Sequence, residues 1–424
     1  MVTRFLLGDL RTGKRLLTLP VVSGSWEDTL DQAETISATV SVRDPDVQAL
    51  GLRSAATPAK TFLAAVDGDT VLAAGPIWVR SYDRDAGTLE LTAKGMASLF
   101  DHRLILPVLA ATLDVSEWTV PDPSDDTGNK TMPNPDLESK FTGVSLGTIA
   151  KKLVAQAMTW VGGDLPIVLP SDESEDNTDH VKTYEGTDFK PVGEALTDIT
   201  NLVDGCELNF APRFTSDKLG VEWVLQTGTV AQPLIFSASE PVWNVTVSGT
   251  PVSNLTIDED ASSLGSLGWE SGGRATDDTL ISRAYDSTLV DAGYPLMELI
   301  DSSHTDVVLQ ATLDGYAETL VTRGKVATDA WSFSVKAHPV DDQGRLAGPQ
   351  LGGYNVGDYC RLVFGGRGTS YDPFTDSFSD TYGKSDLMPG DPYIPNGVYR
   401  HRIVGLKGDE TGNTVDVTCS PEVV

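Results

Sequence analysis

Residues able to do chemistry are sparse in this chain, and their spacing argues against most of it. Five histidines, His102, His180, His304, His338 and His401, never recur at the i, i+4 spacing that brings two imidazoles to one metal. Each is expected to be a core or surface imidazole, with no metal role. Gly8-Asp-Leu-Arg-Thr-Gly13-Lys14 echoes a phosphate-binding loop, but Arg15 stands where a magnesium-binding Ser or Thr is required. The segment also lies between two strand-like runs, so a hairpin turn is expected. Gly265-Ser-Leu-Gly268 has the wrong spacing for a dinucleotide fingerprint, and there is no G-x-S-x-G elbow.

Carboxylates are abundant instead. Asp122–Asp126, Asp172–Asp179, Asp258-Glu259-Asp260 and Asp277-Asp278 could supply calcium oxygens, yet none follows the D-x-[DN]-x-[DN]-G pattern. With 61 Asp and Glu, a pair at glycosidase separation arises by chance, and sequence cannot tell it from a solvated face. Cys206, Cys360 and Cys419 are odd in number and far apart, which suits buried small hydrophobes and no disulfide framework or zinc site. Trp78 and Trp331 fall on strand-like runs, where core packing is expected over sugar stacking. The sequons at Asn129, Asn244 and Asn254 carry no meaning without secretion. No catalytic, cofactor-binding or metal-ligating residue is assigned, and no cofactor is expected.

The elements around these residues are mostly strands. Thr35-Ile-Ser-Ala-Thr-Val-Ser-Val42 alternates without a break, with Ile36, Ala38, Val40 and Val42 on one face. Hairpins are predicted for Phe5–Leu10 with Lys14–Leu19, for Phe62–Val66 with Thr70–Ala73, and for Ile77–Tyr82 with Thr88–Thr92. A short helix should follow Asp44-Pro45. Pro121–Pro135 is rich in turn residues and reads as a linker. Helical spacing then marks 145–160, capped by Ser145, and 190–203, ended by Asp204-Gly205. A hairpin is predicted for 208–225. A third helix is expected over 305–322, with Val308, Thr312, Leu313, Tyr316, Leu320 and Val321 as its buried residues. Trp331–Ala337, Tyr354–Phe364, Val398–Leu406 and Thr414–Ser420 read as strands, with a Gly/Asp/Tyr-rich loop at 365–396. The fold class is therefore α+β, mainly β.

Charge sets the remaining limits. Lys and Arg total 31 against 61 acids, a net charge of −30, which excludes a generally basic nucleic-acid surface. The apolar content of 40% is enough for packed cores, so the acid excess does not imply disorder. The longest apolar run, Leu104–Leu113, is about half the ~20 residues of a membrane span. Asp9 comes too early for a signal-peptide core, so neither export nor membrane spanning is expected.

Several segments, taken in order, resemble minor tail proteins of actinobacterial siphophages. They are Trp26-Glu-Asp28 with Ile36–Pro45, and Gly75-Pro-Ile-Trp-Val-Arg80 with Leu89–Arg103. Tyr184–Asp188, Pro191–Leu196, Tyr354–Leu362 and Arg400-His-Arg-Ile-Val-Gly-Leu406 continue the series over nearly the whole chain. The set is more distantly similar to the tail-tip or baseplate hub family. That resemblance implies a homotrimeric, non-enzymatic virion protein at the distal end of the tail, made in the bacterial cytoplasm. It implies two tail-tube-like antiparallel β-barrel domains per subunit, six in the ring, adapting a six-fold tube to a three-fold tip. Residues 1–105 would form the first barrel and 106–240 an intervening α+β region. Residues 241–424 would form the second, discontinuous and sharing 206–228. Implied partners are the distal tail protein, tail tube, tape measure protein and central fibre or other tip proteins, with DNA in transit through the lumen. The chain ends soon after its last strand, so no lysozyme module is expected. Two other classes stay open at this level: an acidic carbohydrate-active or carbohydrate-binding β-protein at the host envelope, and a calcium-stabilised adhesion module.

Overall fold

The computed structural model describes residues 2–173, 181–202, 205–246, 249–275, 278–304, 307, 309–325, 328–365, 369–372, 377–380, 391 and 393–421. The chain divides into two compact units. The first is Met1–Asn254 with Phe333–Thr418, and the second is Leu255–Ser332 with Cys419–Val424. Strands dominate, and the large sheet is almost entirely antiparallel.

In the first unit, β1 (Arg4–Asp9) and β2 (Arg15–Leu19) form a hairpin whose turn holds Gly13 at φ 68°. That turn is the whole use of the phosphate-loop-like segment: Asp9 accepts hydrogen bonds from the Thr12 amide and hydroxyl. β3 (Ser23–Thr29) pairs with β4 (Thr35–Ser41), where the alternation buries Ile36, Ala38 and Val40 almost completely. α1 (Pro45–Ala49), capped by Asp44, and α2 (Leu52–Ala55) follow. β5 (Thr61–Asp67) is buried on both faces. The runs expected as two strands near Ala73 and Ile77 are one, β6 (Thr70–Asp83). Its first half pairs with β5 and its second half with β7 (Thr88–Lys94). The strand can pass so close to β7 because residue 75 is glycine: a Cβ there would sit 1.8 Å from the Lys94 carbonyl oxygen.

The sheet order is β2-β1-β5-β6-β7-β4-β3, and strand Gly397–Asp409 continues it by pairing with β3. Strand Tyr359–Phe364 pairs with Gly397–Asp409 and, in parallel, with Val242–Asn244. Among the described residues this sheet does not close into a barrel, since β2 has only β1 as a strand partner. The 121–135 segment is not an open linker: Thr119–Pro121 and Thr131–Pro133 pair as a small hairpin.

Two helices cover the inner face of β1, β5 and β6. α3 (Leu146–Met158) starts where the Thr148 amide donates to Ser145 Oγ, and it buries Leu146, Ile149, Leu153 and Ala157. α4 (Val192–Thr200) buries Val192, Ala195, Leu196 and Ile199. Strands Leu208–Phe214 and Val221–Thr227 form the expected hairpin and join the same core. There Trp223 meets Phe62 edge-on at 5.4 Å and donates to the Ala74 carbonyl, while Phe210 stacks on Phe100. Burying each such side chain contributes about 1.5–3 kcal/mol, which anchors the hairpin to the N-terminal strands.

The second unit packs a helix on a three-stranded sheet. Strand Leu267–Ala275 lies between Asp278–Tyr285, antiparallel, and Glu298–Asp301, parallel. After α5 (Thr288–Asp291), α6 (Gln310–Arg323) begins later than the 305–322 expected, because Leu309 is extended backbone. Its buried stripe is Leu313, Ala317 and Val321; Tyr316 and Leu320 are half-buried, Thr312 is exposed, and Val308 lies outside the described residues. Most of loop 365–396 lies outside the described residues, but Thr369–Asp372 and Ser377–Asp380 pair antiparallel within it.

Candidate functional site

The acidic clusters singled out by sequence are mostly absorbed by their own turns. Asp125 accepts from the Thr127 hydroxyl and from the amides of Lys130, Thr127 and Asn129, and Asp122 from the hydroxyl and amide of Ser124, so both stay below the usual carboxylate range. Asp260 accepts from the Ser262 amide. Asp172 pairs with Lys151, and Glu173 accepts from the Val230 amide at 2.7 Å. Residues 174–180, His180 among them, and Asp277 lie outside the described residues. His102 packs at a tilt against Trp78, His338 Nε2 lies 2.5 Å from Asp67 Oδ2, and His401 is buried on its strand. Among the described residues, His304 alone of the histidines sits in a cluster with metal-ligand geometry, beside Asp301 and Glu270 in the second unit. Trp331 is buried and Trp78 half-buried, its indole donating to Ser98 Oγ.

All three cysteines are buried thiols. Burial pushes the Cys206 thiol up to about 11, which leaves almost no thiolate at neutral pH. Native protein should therefore show essentially no rapid reaction with a thiol reagent such as Ellman's, and three thiols in urea. One thiol reacting fast in the native state would show that its cover opens.

A polar cavity lies in the first unit, where the β3–β4 turn meets α4. A cavity of about 190 Å³ is lined by Asp31, Glu34, Asp101, Ser98, Thr197 and Thr200, among others. Glu34 is 5% exposed, and Gly95 makes room for it: a Cβ there would lie 1.5 Å from Glu34 Oε2. Burial and the charge of Asp28 push Glu34 well above its ordinary range, while burial pushes Asp28 up to about 6. Burial, then Glu207, raises Asp31. Among the described residues the lining holds no His, Cys or Lys. Ser98 is already engaged, donating to the Gly95 carbonyl and accepting from Trp78. With Glu34 and Asp31 both raised by burial, such a site holds protons that free carboxylates would release.

Beyond it, the irregular segment after Thr227 is tied down by charge. Glu207 and Arg402 form a buried bidentate pair, and Glu207 also accepts from the Ile235 amide at 2.7 Å. Arg402 donates further to the carbonyls of Gly357 and Ile235. Glu240 accepts from both Arg361 and Arg400, and Asp358 accepts from the amides of Ser237 and Asn355. These bonds fix the chain between the helical region and strands Tyr359–Phe364 and Gly397–Asp409.

No protein-family model and no curated protein matches the chain. Solved structures do. A tail protein from Neisseria meningitidis is similar over 100% of this chain and 97% of its own, with TM-score 0.51 and 12% identity. The 43 kDa tail protein of prophage MuSo2 from Shewanella oneidensis is similar over 98% of each chain, with the same score and identity. The chain shares the fold of these tail proteins. No helix among the described residues is long and apolar enough to cross a membrane.

Within this tail-protein fold, sequence reasoning missed the groups that matter most. Glu34 continues the alternation of Ile36, Ala38 and Val40 two residues upstream, a phase that points it inward. Glu270 sits between Gly268 and Gly272 on one strand face. Both signals were present as a charged residue in phase with a buried face.

Proposed function

We propose that the chain is a structural hub at the distal tip of a long-tailed bacteriophage tail, forming a homotrimeric ring. In this reading residues 1–105 and strands from 241–424 are the two tube-like parts of each subunit. They present six similar units to a six-fold tube and line the DNA exit channel. The observation that carries the reading is the likeness, over essentially full length, to two proteins described as tail proteins. Two further features support it. The net charge of −30 disfavours adhesion of DNA to channel walls. The sheet face of the second unit opposite α6 leaves Ile281, Tyr285 and Ile300 well exposed, an apolar face suited to cover by a neighbouring tail protein or subunit. The distal tail protein, tube, tape measure protein and central fibre are the partners this role requires.

Light scattering on the purified chain tests the reading. The expected mass is three times 45.2 kDa, about 136 kDa, with three-fold rings in electron micrographs that cap purified tube protein. A monomer at all concentrations, even with tube protein added, would overturn it.

A further inference from the structure

Along strand Leu267–Ala275, Gly268, Glu270 and Gly272 share the face turned to α6. A Cβ on Gly268 would come within 2.8 Å of Val321, and one on Gly272 within 3.0 Å of Leu313. The helix is therefore held at glycine distance, and Glu270 carries its carboxylate into that closed layer, 2% exposed. Its Oε2 is buried with no hydrogen-bond partner, and among the described residues no Lys or Arg pairs with it. The parallel register sets Asp301 opposite Glu270, on the same face of the sheet. Three residues on, His304 turns back so that its Nε2 lies 3.7 Å from Asp301 Oδ2. Its ring stacks on Tyr316 of α6, centroids 3.8 Å apart and 12° from parallel. One donor atom from each of the three residues lies within 4.8 Å of the other two.

On the far side of Glu270 the polar groups are satisfied. Ser282, in register with Glu270, donates to Asp314, which also accepts from Gln310 Nε2 at 2.8 Å. Asp301 Oδ1 accepts from the Ser303 amide. The unmet need is confined to the space between Glu270, Asp301 and His304. A buried carboxylate beside a second carboxylate, with neither donor nor cation, is a costly arrangement. Either a proton or a cation relieves it, and the imidazole supplies a neutral nitrogen donor that a protonated carboxyl pair does not require.

We propose that Glu270, Asp301 and His304 together bind one divalent transition-metal ion of the zinc or manganese class. Two carboxylates and an imidazole form a mixed oxygen–nitrogen set. Calcium and magnesium take oxygen ligands; imidazole suits zinc, and the two carboxylates suit manganese. Stacking on Tyr316 restricts the His304 ring, so the ion would link the central strand, the parallel strand and the loop leading to α6. Its role is a structural clasp within the second unit, independent of whether the chain is a hub.

The test uses the full chain, stripped with chelator and then titrated separately with Zn²⁺, Mn²⁺ and Ca²⁺, with bound metal counted by elemental analysis. One Zn²⁺ or Mn²⁺ per chain is expected, with Ca²⁺ at least about tenfold weaker. Glu270→Gln and His304→Ala should each weaken binding by about tenfold or more, and Asp258→Asn should leave it unchanged. Co²⁺ loading gives a second readout: a visible ligand-field band in the parent chain, altered or lost in His304→Ala, with circular dichroism confirming that the variant is folded. No stoichiometric uptake by the folded parent chain overturns the proposal. So does uptake that both variants leave unchanged, or a preference for Ca²⁺.

Discussion

Replacing Arg402 with alanine is expected to cost about 3–5 kcal/mol of stability, the largest effect of any single charge removal in the first unit. The substitution strands Glu207, which is 8% exposed and whose two carboxylate oxygens both face the guanidinium. It also removes the donors to the Gly357 and Ile235 carbonyls, at 2.8 and 3.0 Å. Arg402→Lys keeps the charge but cannot make the bidentate pair, so an intermediate loss is expected. The double variant Glu207→Gln, Arg402→Met should lose much less than the sum of the two single changes, because neither group is then left as a buried charge. Urea denaturation followed by tryptophan fluorescence measures this, since Trp223 and Trp243 are both buried in the first unit. If Arg402→Ala melts within about 1 kcal/mol of the parent, the pair is not what holds the segment around Ile235.

That pair also marks the limit of what could be read from sequence. Periodicity reports neighbours: the Thr35–Ser41 alternation, the Ser145 cap and the Asp67-Gly68-Asp69 turn are local, and each is found where its residues place it. Glu207 and Arg402 are 195 positions apart, and nothing near either one announces the other. The strands of the second unit were invisible for another reason. Leu267-Gly-Trp-Glu-Ser-Gly-Gly offers its helix two glycines and a carboxylate where a hydrophobic pattern would show branched aliphatics, because the close approach of α6 leaves no room for them. Strand β3, Ser23-Gly-Ser-Trp-Glu-Asp-Thr29, was missed likewise. Trp26 is its one large buried side chain, and Gly24 lies where a Cβ would come within 2.5 Å of the Phe5 ring. Sequence thus exposes the strands that pack by side-chain bulk and hides those that pack by its absence.

The acid pair at the β3–β4 turn should make stability fall as pH rises. Asp28 ordinarily titrates near 3.8 and is pushed up to about 6, and Glu34 rises well above its ordinary 4.5. The folded state therefore holds protons that the unfolded chain releases. Their contribution is fully present below about pH 4 and is lost as pH climbs through about 6 and beyond. Several carboxylates elsewhere run the other way: Asp9 is lowered mainly by its bond from Thr12 and contributes only above its unfolded pKa. The profile of the parent chain is thus a composite, and a difference between two chains isolates the pair. Glu34→Gln preserves shape and leaves one carboxyl where two competed. It should be more stable than the parent at pH 8 by about 1–3 kcal/mol, the usual cost of a buried polar group left without a partner. At pH 4, where the parent pair is already protonated, the gain should vanish. Melting temperatures of both chains from pH 4 to pH 8 give the comparison directly. Parallel curves would mean that solvent reaches Glu34 past Gly95 and that the carboxylate is hydrated in its cavity, in which case the pair carries no penalty to relieve.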